Sequence, residues 1–214
     1  MSATRSEGDV EAMAAAYRSG NVFLGELSMP LIDFRHYLEP ELDMHHSLQS
    51  FAARLRMLRQ QGHADNQLIW FSELPFTPKG DALRLLERWL DNMRADESLS
   101  VVDARPASAT DRCYSDSGDL IASGSTVWNG AWNGKDDGEC MQRFPTYSNP
   151  RMVAGDDYAG DIFKCNLRSV DAAIADGVYA PIDVTAKRNE LQRVFASGVC
   201  DYSLGDAARP TAIP

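Results

Sequence analysis

Residues 36–46 gather most of the chain's candidate chemistry: His36, Glu39, Glu41, Asp43, His45 and His46 crowd one polar stretch, and the remaining histidine, His63, follows shortly after. Histidines and carboxylates together are ligand types for zinc or iron. However, the neighbouring side chains of His45 and His46 diverge from any one ion, and the spacing is not H-x-x-x-H, so neither a metal nor another cofactor is expected. The second chemistry is acid–base, in which a carboxylate orients an imidazole and the imidazole moves a proton. Asp33, Glu39, Glu41 and Asp43 offer the acid, and His45, His46 or His63 the base; Asp43, His45 and His46 are the strongest candidates. The competing reading is that Asp43 caps the following helix while the histidines fill a polar pocket.

The elements around this stretch would position it. Met29–Phe34 is a short apolar run entered through Pro30, which fits a buried strand. Leu48, Phe51, Ala52, Leu55 and Leu58 recur at helical spacing, with Arg54, Arg56 and Arg59 turned away from that stripe, and Gly62 stops the helix. Asn66–Phe71 is a second apolar run of strand length. Two buried strands joined by an amphipathic helix predict a βαβ crossover in a covered parallel sheet. Asp81 is placed to cap a further helix through about Ala95, with Leu83, Leu86, Trp89, Leu90 and Met93 on its apolar face. Strand, acidic loop, helix, strand, helix is the order in which an α/β-hydrolase sheet ends, with the triad acid after one strand and the histidine after the next. Here Ser72–Pro78, after the second strand, contains no histidine, and the chain contains no G-x-S-x-G nucleophile elbow.

The composition shifts near Ser98, dividing the chain into 1–97 and 98–214. Residues 101–112 read as a polar connector. Asp119–Ser123 and Ser125–Trp128 would pair as a hairpin, followed by turn dipeptides at Asn129-Gly130 and Asn133-Gly134. Trp128 and Trp132 would either pack a small core or present stacking faces to a ligand. Phe144–Asp161 is loop. Short helices are expected over about 169–176 and 184–195, another over 9–19, and residues 198–214 form a tail of little periodicity.

An apolar fraction of 44% permits a sizeable core, while the net charge of −10 argues against nucleic acid and against anionic membrane surfaces. No run is apolar and long enough to span a bilayer. The four cysteines, Cys113, Cys140, Cys165 and Cys200, all lie in the loop-rich second half with no C-x-x-C pair and no histidine among them. Zinc is disfavoured by that pattern; the alternatives are free thiols or two disulfides, and a segment poor in apolar runs favours cross-links. Of three possible pairings, the sequential one (Cys113 with Cys140, Cys165 with Cys200) is expected, each closing a loop of about 30 residues worth roughly 3–4 kcal/mol. Disulfides imply a secreted or periplasmic protein. The first residues are polar with no apolar signal core, so the export signal is expected on a longer parent chain.

Certain segments carry a family resemblance. Ile-Phe-Lys-Cys-Asn-Leu (162–167), a Val-Asp with a short helix, and Gly-Val-Cys-Asp-Tyr-Ser (198–203) resemble the C-terminal signature of a bacterial family of large secreted proteins. Leu-Asp-Met-His-His-Ser (42–47), Ser-Phe-Ala-Ala-Arg (50–54) and Asp-Asn-Gln-Leu-Ile-Trp (65–70) look like the same family. It is a domain of unknown function similar to α/β-hydrolases of the tannase and 3-hydroxybutyrate-oligomer-hydrolase kind, and the likeness runs from about residue 20 to 210. The resemblance implies a secreted or periplasmic esterase-like parent whose serine lies upstream of Met1, acting on a small ester. The expected architecture is the C-terminal β-α-β-α portion of an α/β-hydrolase-like sheet followed by a disulfide-bonded, loop-rich lobe. Such a segment lacks the nucleophile, needs the upstream part of its parent as partner, and is inactive alone. The rival reading is a non-catalytic accessory module with a Trp-rich contact surface.

Overall fold

A computed structural model describes residues 8–211; the polar start at residues 1–7 and the last three residues of the 198–214 tail lie outside it. In chain order the elements are α1 (Val10–Arg18), β1 (Leu31–His36), α2 (Leu48–Gln61), β2 (Gln67–Ser72), α3 (Lys79–Ala95), β3 (Arg112–Tyr114), β4 (Leu120–Ser123), α4 (Glu139–Arg143), α5 (Pro150–Val153), β5 (Cys165–Arg168), α6 (Val170–Ala175), α7 (Arg188–Val194) and β6 (Val199–Asp206). Single 3-10 turns stand at Glu39–Glu41, Ala131–Asn133 and Thr185–Lys187. Contacts divide the chain into two compact units, one spanning Leu24–Tyr147, the other formed by the residues up to Phe23 together with those from Ser148 onward. That division does not fall near residue 98, where composition shifts.

The first unit is a mixed α/β body. Its sheet has the order β1-β2-β3-β4: β1 and β3 pair with β2 in parallel, and β4 closes one side antiparallel to β3. The βαβ crossover is therefore present, with Leu31 opposite Gln67 and His36 opposite Ser72. All six residues of β2 are buried, as expected for a strand covered on both faces. On one face Leu68 and Trp70 pack with Leu85 and Trp89 of α3 and with Tyr114. On the other, Phe71 meets Phe51 of α2 and Trp128. Trp128 and Trp132 are both buried and ring against Phe51; each indole N–H has a carbonyl, Ile69 and Trp128 respectively. These rings pack in the core, neither more than 8% exposed.

Four expectations are corrected here. Residues 112–114, the end of the presumed connector, are the strand that pairs with 120–123, and 125–128 is turn. Arg54 does not face away. It is buried, and α2 inserts Ser50, Phe51, Arg54 and Met57 while Leu58 is 39% exposed. The rotation follows from Arg54's partners: its guanidinium grips Asp111 through both Nη atoms at 2.6 and 2.9 Å and donates to the Gln67 side chain and carbonyl at 3.1 Å. Asp111 also accepts the Ile69 amide at 2.8 Å. In α3, likewise, Ala82, Leu85 and Trp89 are buried and Leu83 is 57% exposed. The helix starts at Lys79, and Asp81 pairs with Arg84 instead of capping. Gly25 passes so close to α2 that a Cβ there would stand 2.1 Å from the Arg56 carbonyl, and its φ of +108° suits glycine alone.

The second unit contains α1, α5, α6, α7 and the two-stranded sheet β5-β6. β6 corrects the structureless tail: backbone pairing and the Cys165–Cys200 disulfide hold a polar segment as a strand. Ser169 caps α6 through the Ala172 amide. Both expected disulfides are present, Cys113–Cys140 tying β3 to α4. Among the described residues no helix is long and apolar enough to cross a membrane. Tyr17 donates its hydroxyl to Asp206, which also accepts the amides of Phe163, Lys164 and Ala208. Burial, reinforced by that carboxylate, pushes Tyr17 up to about 12. Although burial alone would raise Asp206, the donated hydrogen bonds outweigh it and lower its pKa.

Two outcomes are expected. All four tryptophans lie in the first unit, so their fluorescence during urea unfolding reports on it alone. Asp111→Ala, which strands a buried guanidinium, should lower that unit's stability by about 3–5 kcal/mol, whereas Arg54→Met with Asp111→Leu should cost clearly less. The raised Tyr17 contributes stability that is fully present below the ordinary tyrosine pKa of about 10 and lost as pH rises toward about 12. Burial also carries Tyr37 to about 12. Absorbance at tyrosinate wavelengths should therefore show a late class that loses one member in Tyr17→Phe and another in Tyr37→Phe; uniform titration near 10 would refute the buried hydroxyls.

Candidate functional site

Strands β1, β2 and β3 run parallel, so their carboxyl ends share one edge, the edge at which open α/β sheets place their ligands. The loop from Tyr37 to Ser47 leaves β1 there and turns back into α2. Four residues shape it. Tyr37 continues the ladder by donating its amide to Ser72 at 3.0 Å, and its hydroxyl reaches the Pro145 carbonyl at 2.7 Å. Glu39, 1% exposed, accepts both the amide and the hydroxyl of Ser47 at the start of α2, leaving its second oxygen buried without a partner. Leu42 takes a left-handed conformation, φ +54°. Arg35 clamps the loop's far end by donating to the His46 carbonyl at 3.0 Å while Asp33 holds its guanidinium.

This framework brings Asp43 and His45 together. Asp43 Oδ1 accepts the His45 amide at 2.7 Å and meets His45 Nδ1 at 2.8 Å. The His45 amide, followed by its side chain, holds the Asp43 pKa below the ordinary carboxylate value. A carboxylate accepts only, so His45 carries its proton on Nδ1, and Nε2 is left with its lone pair facing away from the acid. That is the orientation in which a histidine serves as general base with an acid behind it. The pair is open to water, His45 at 77% and Asp43 at 40% side-chain exposure, where a partner or substrate can reach it.

The other candidates separate. Asp33 is occupied by Arg35, and Glu39 rather than Asp43 supports the start of α2. His46 contributes its carbonyl to the clamp, with no bond to Asp43. His63 lies before β2, at the opposite edge of the sheet. His36 Nε2 sits 3.1 Å from the Phe76 carbonyl and 2.9 Å from Thr77 Oγ1. Because a carbonyl can only accept, that nitrogen bears the proton and donates, so His36 cannot take a proton from Thr77. Among the described residues no group of three or more His, Cys, Asp or Glu could hold a metal. The sequence offers Glu39 only as a candidate acid and does not bring Arg35 forward; their roles rest on bonds to Ser47 and to the His46 carbonyl.

The Asp43→Asn variant should release the imidazole. In side-chain 15N spectra of the neutral form, wild-type His45 should show the Nδ1–H tautomer, and the variant a mixture dominated by Nε2–H. An unchanged tautomer would mean the carboxylate does not orient the ring.

No curated protein and no solved structure matches the chain significantly. A family model does, over residues 1–210, consistent with the motifs at 42–47, 50–54 and 162–167. The chain belongs to the tannase-like family of unknown function, DUF6351.

Proposed function

We propose that this chain is the acid- and imidazole-bearing portion of a secreted or periplasmic carboxylic ester hydrolase, completed by an upstream part of the same parent protein that carries the nucleophilic serine. The observation that carries the reading is the Asp43–His45 pair at the carboxyl edge of the parallel strands, 2.8 Å apart with Nε2 turned outward. Membership of a tannase-like family supports a hydrolase-like module, and the two disulfides fit an oxidising compartment.

In this reading His45 Nε2 removes the proton of the serine hydroxyl as its oxygen attacks the ester carbonyl. Asp43 stabilises the imidazolium, and the same proton passes to the departing alcohol. The oxyanion donors come from the same partner as the serine. β1 supports the need for one: it is a six-residue parallel strand whose one neighbour among the described residues is β2, and its other edge offers backbone groups to a further strand. Met29 before it and Phe34 within it are exposed.

The isolated chain should hydrolyse a chromogenic ester at the buffer rate. In the parent enzyme His45→Ala should lower kcat by about a thousandfold or more with little change in KM, and Asp43→Asn by a comparable factor. Serine-inhibitor-sensitive turnover by these 214 residues alone, or full activity in the His45 variant, would end this assignment.

A further inference from the structure

A cavity of about 560 Å3 opens in the first unit, at the edge opposite the Asp43–His45 loop, where α2 ends and β2 begins. This volume lies within the range of small-molecule sites. The Arg54–Asp111 pair forms part of its wall and is satisfied internally. The remaining polar lining is rich in uncommitted donors. Lys135 is exposed and makes no ion pair among the described residues. Arg105 spends Nε and one N–H on each Nη on the carbonyls of Ala109 and Asp65, which leaves a second N–H on each Nη. Asn129 uses its oxygen for Asn133 and keeps its amide hydrogens. His63 Nδ1 is buried there without a protein partner. The one other lining carboxylate, Asp65, stands 3.9 Å from Arg105; Asp136 and Asp137 follow Lys135 in sequence but do not line the cavity. Leu58, 39% exposed, and Trp132 add an apolar wall.

We propose that this cavity is a binding site for a small ring-bearing carboxylate. With Arg54 and Asp111 cancelling and Arg105 balancing Asp65, Lys135 leaves the lining net positive on a chain of charge −10, so an anion is attracted here. The surplus positive charge favours an acid over its neutral counterpart. The carboxylate meets Lys135 and the spare Arg105 N–H groups, and the ring lies along Leu58 and Trp132. The site is independent of the Asp43–His45 pair and uses none of its residues.

Calorimetric titration of the full chain at low salt with glucuronate and with 4-hydroxybenzoate tests this, glucose and phenol serving as neutral counterparts. Saturable binding of at least one acid with Kd of about 1 mM or tighter is expected, at least about tenfold stronger than its neutral counterpart. Which acid binds tells a sugar ring from an aromatic one. Lys135→Glu, at an exposed position, should weaken the acid about tenfold or more while leaving the urea midpoint unchanged, and the His63 15N signals should move on binding in the wild type. No saturation by either acid up to about 20 mM, equal binding of the neutral compounds, or an unaffected Lys135→Glu variant would overturn the proposal.

Discussion

A single buried guanidinium governs the first unit. Arg54 reaches from α2 to Gln67 at the head of β2 and to Asp111 just before β3. Asp111 in turn takes the Ile69 amide. One ion pair thereby fixes the rotation of the helix, the start of the central strand and the approach of β3. Its side chains are 10% and 8% exposed, so their charges are withdrawn from water and their orientation is demanding: a buried guanidinium must find several acceptors at once. The Phe51, Phe71 and Trp128 rings can interlock only once α2 has turned Phe51 inward on the same face.

Sheet polarity then separates two kinds of environment. At the carboxyl edge the loop after β1 is exposed, acidic, and held from below by Glu39 and from the side by Arg35. Those two anchors do not touch the Asp43–His45 pair; they define the path on which a short Asx-type turn puts a carboxylate behind an imidazole. At the amino edge the lining is partly cationic and aromatic, and it closes around Arg54. The same strands therefore present opposite chemistries at their two ends.

The disulfides do different work in the two units. Cys113–Cys140 fastens a three-residue strand, too short to be secure by pairing alone, to the helix that follows the Trp turn. Cys165–Cys200 joins two strands that make up an entire small sheet, a structure with little apolar area of its own. Beside it Tyr17 and Asp206 supply a polar anchor in place of a larger core.

Local pattern in the sequence determined the βαβ unit, the stop at Gly62 and the family, because periodicity, capping chemistry and motif strings are properties of neighbouring residues; it left three disulfide pairings open, and the sequential one is present. It also brought Asp43, His45 and His46 forward together, and only the structure pairs Asp43 with His45. Tertiary structure alone decided the buried face of α2, the pairing of 112–114 with 120–123, the β6 strand and the fate of His36. Each depends on a partner far along the chain: Asp111 for Arg54, Arg112–Tyr114 for β4, β5 for the polar tail, the Phe76 carbonyl for the imidazole. A hydrophobic stripe predicts that a helix is amphipathic, but an arginine joins the buried side only when an acid waits there, and that meeting is written in space rather than in spacing.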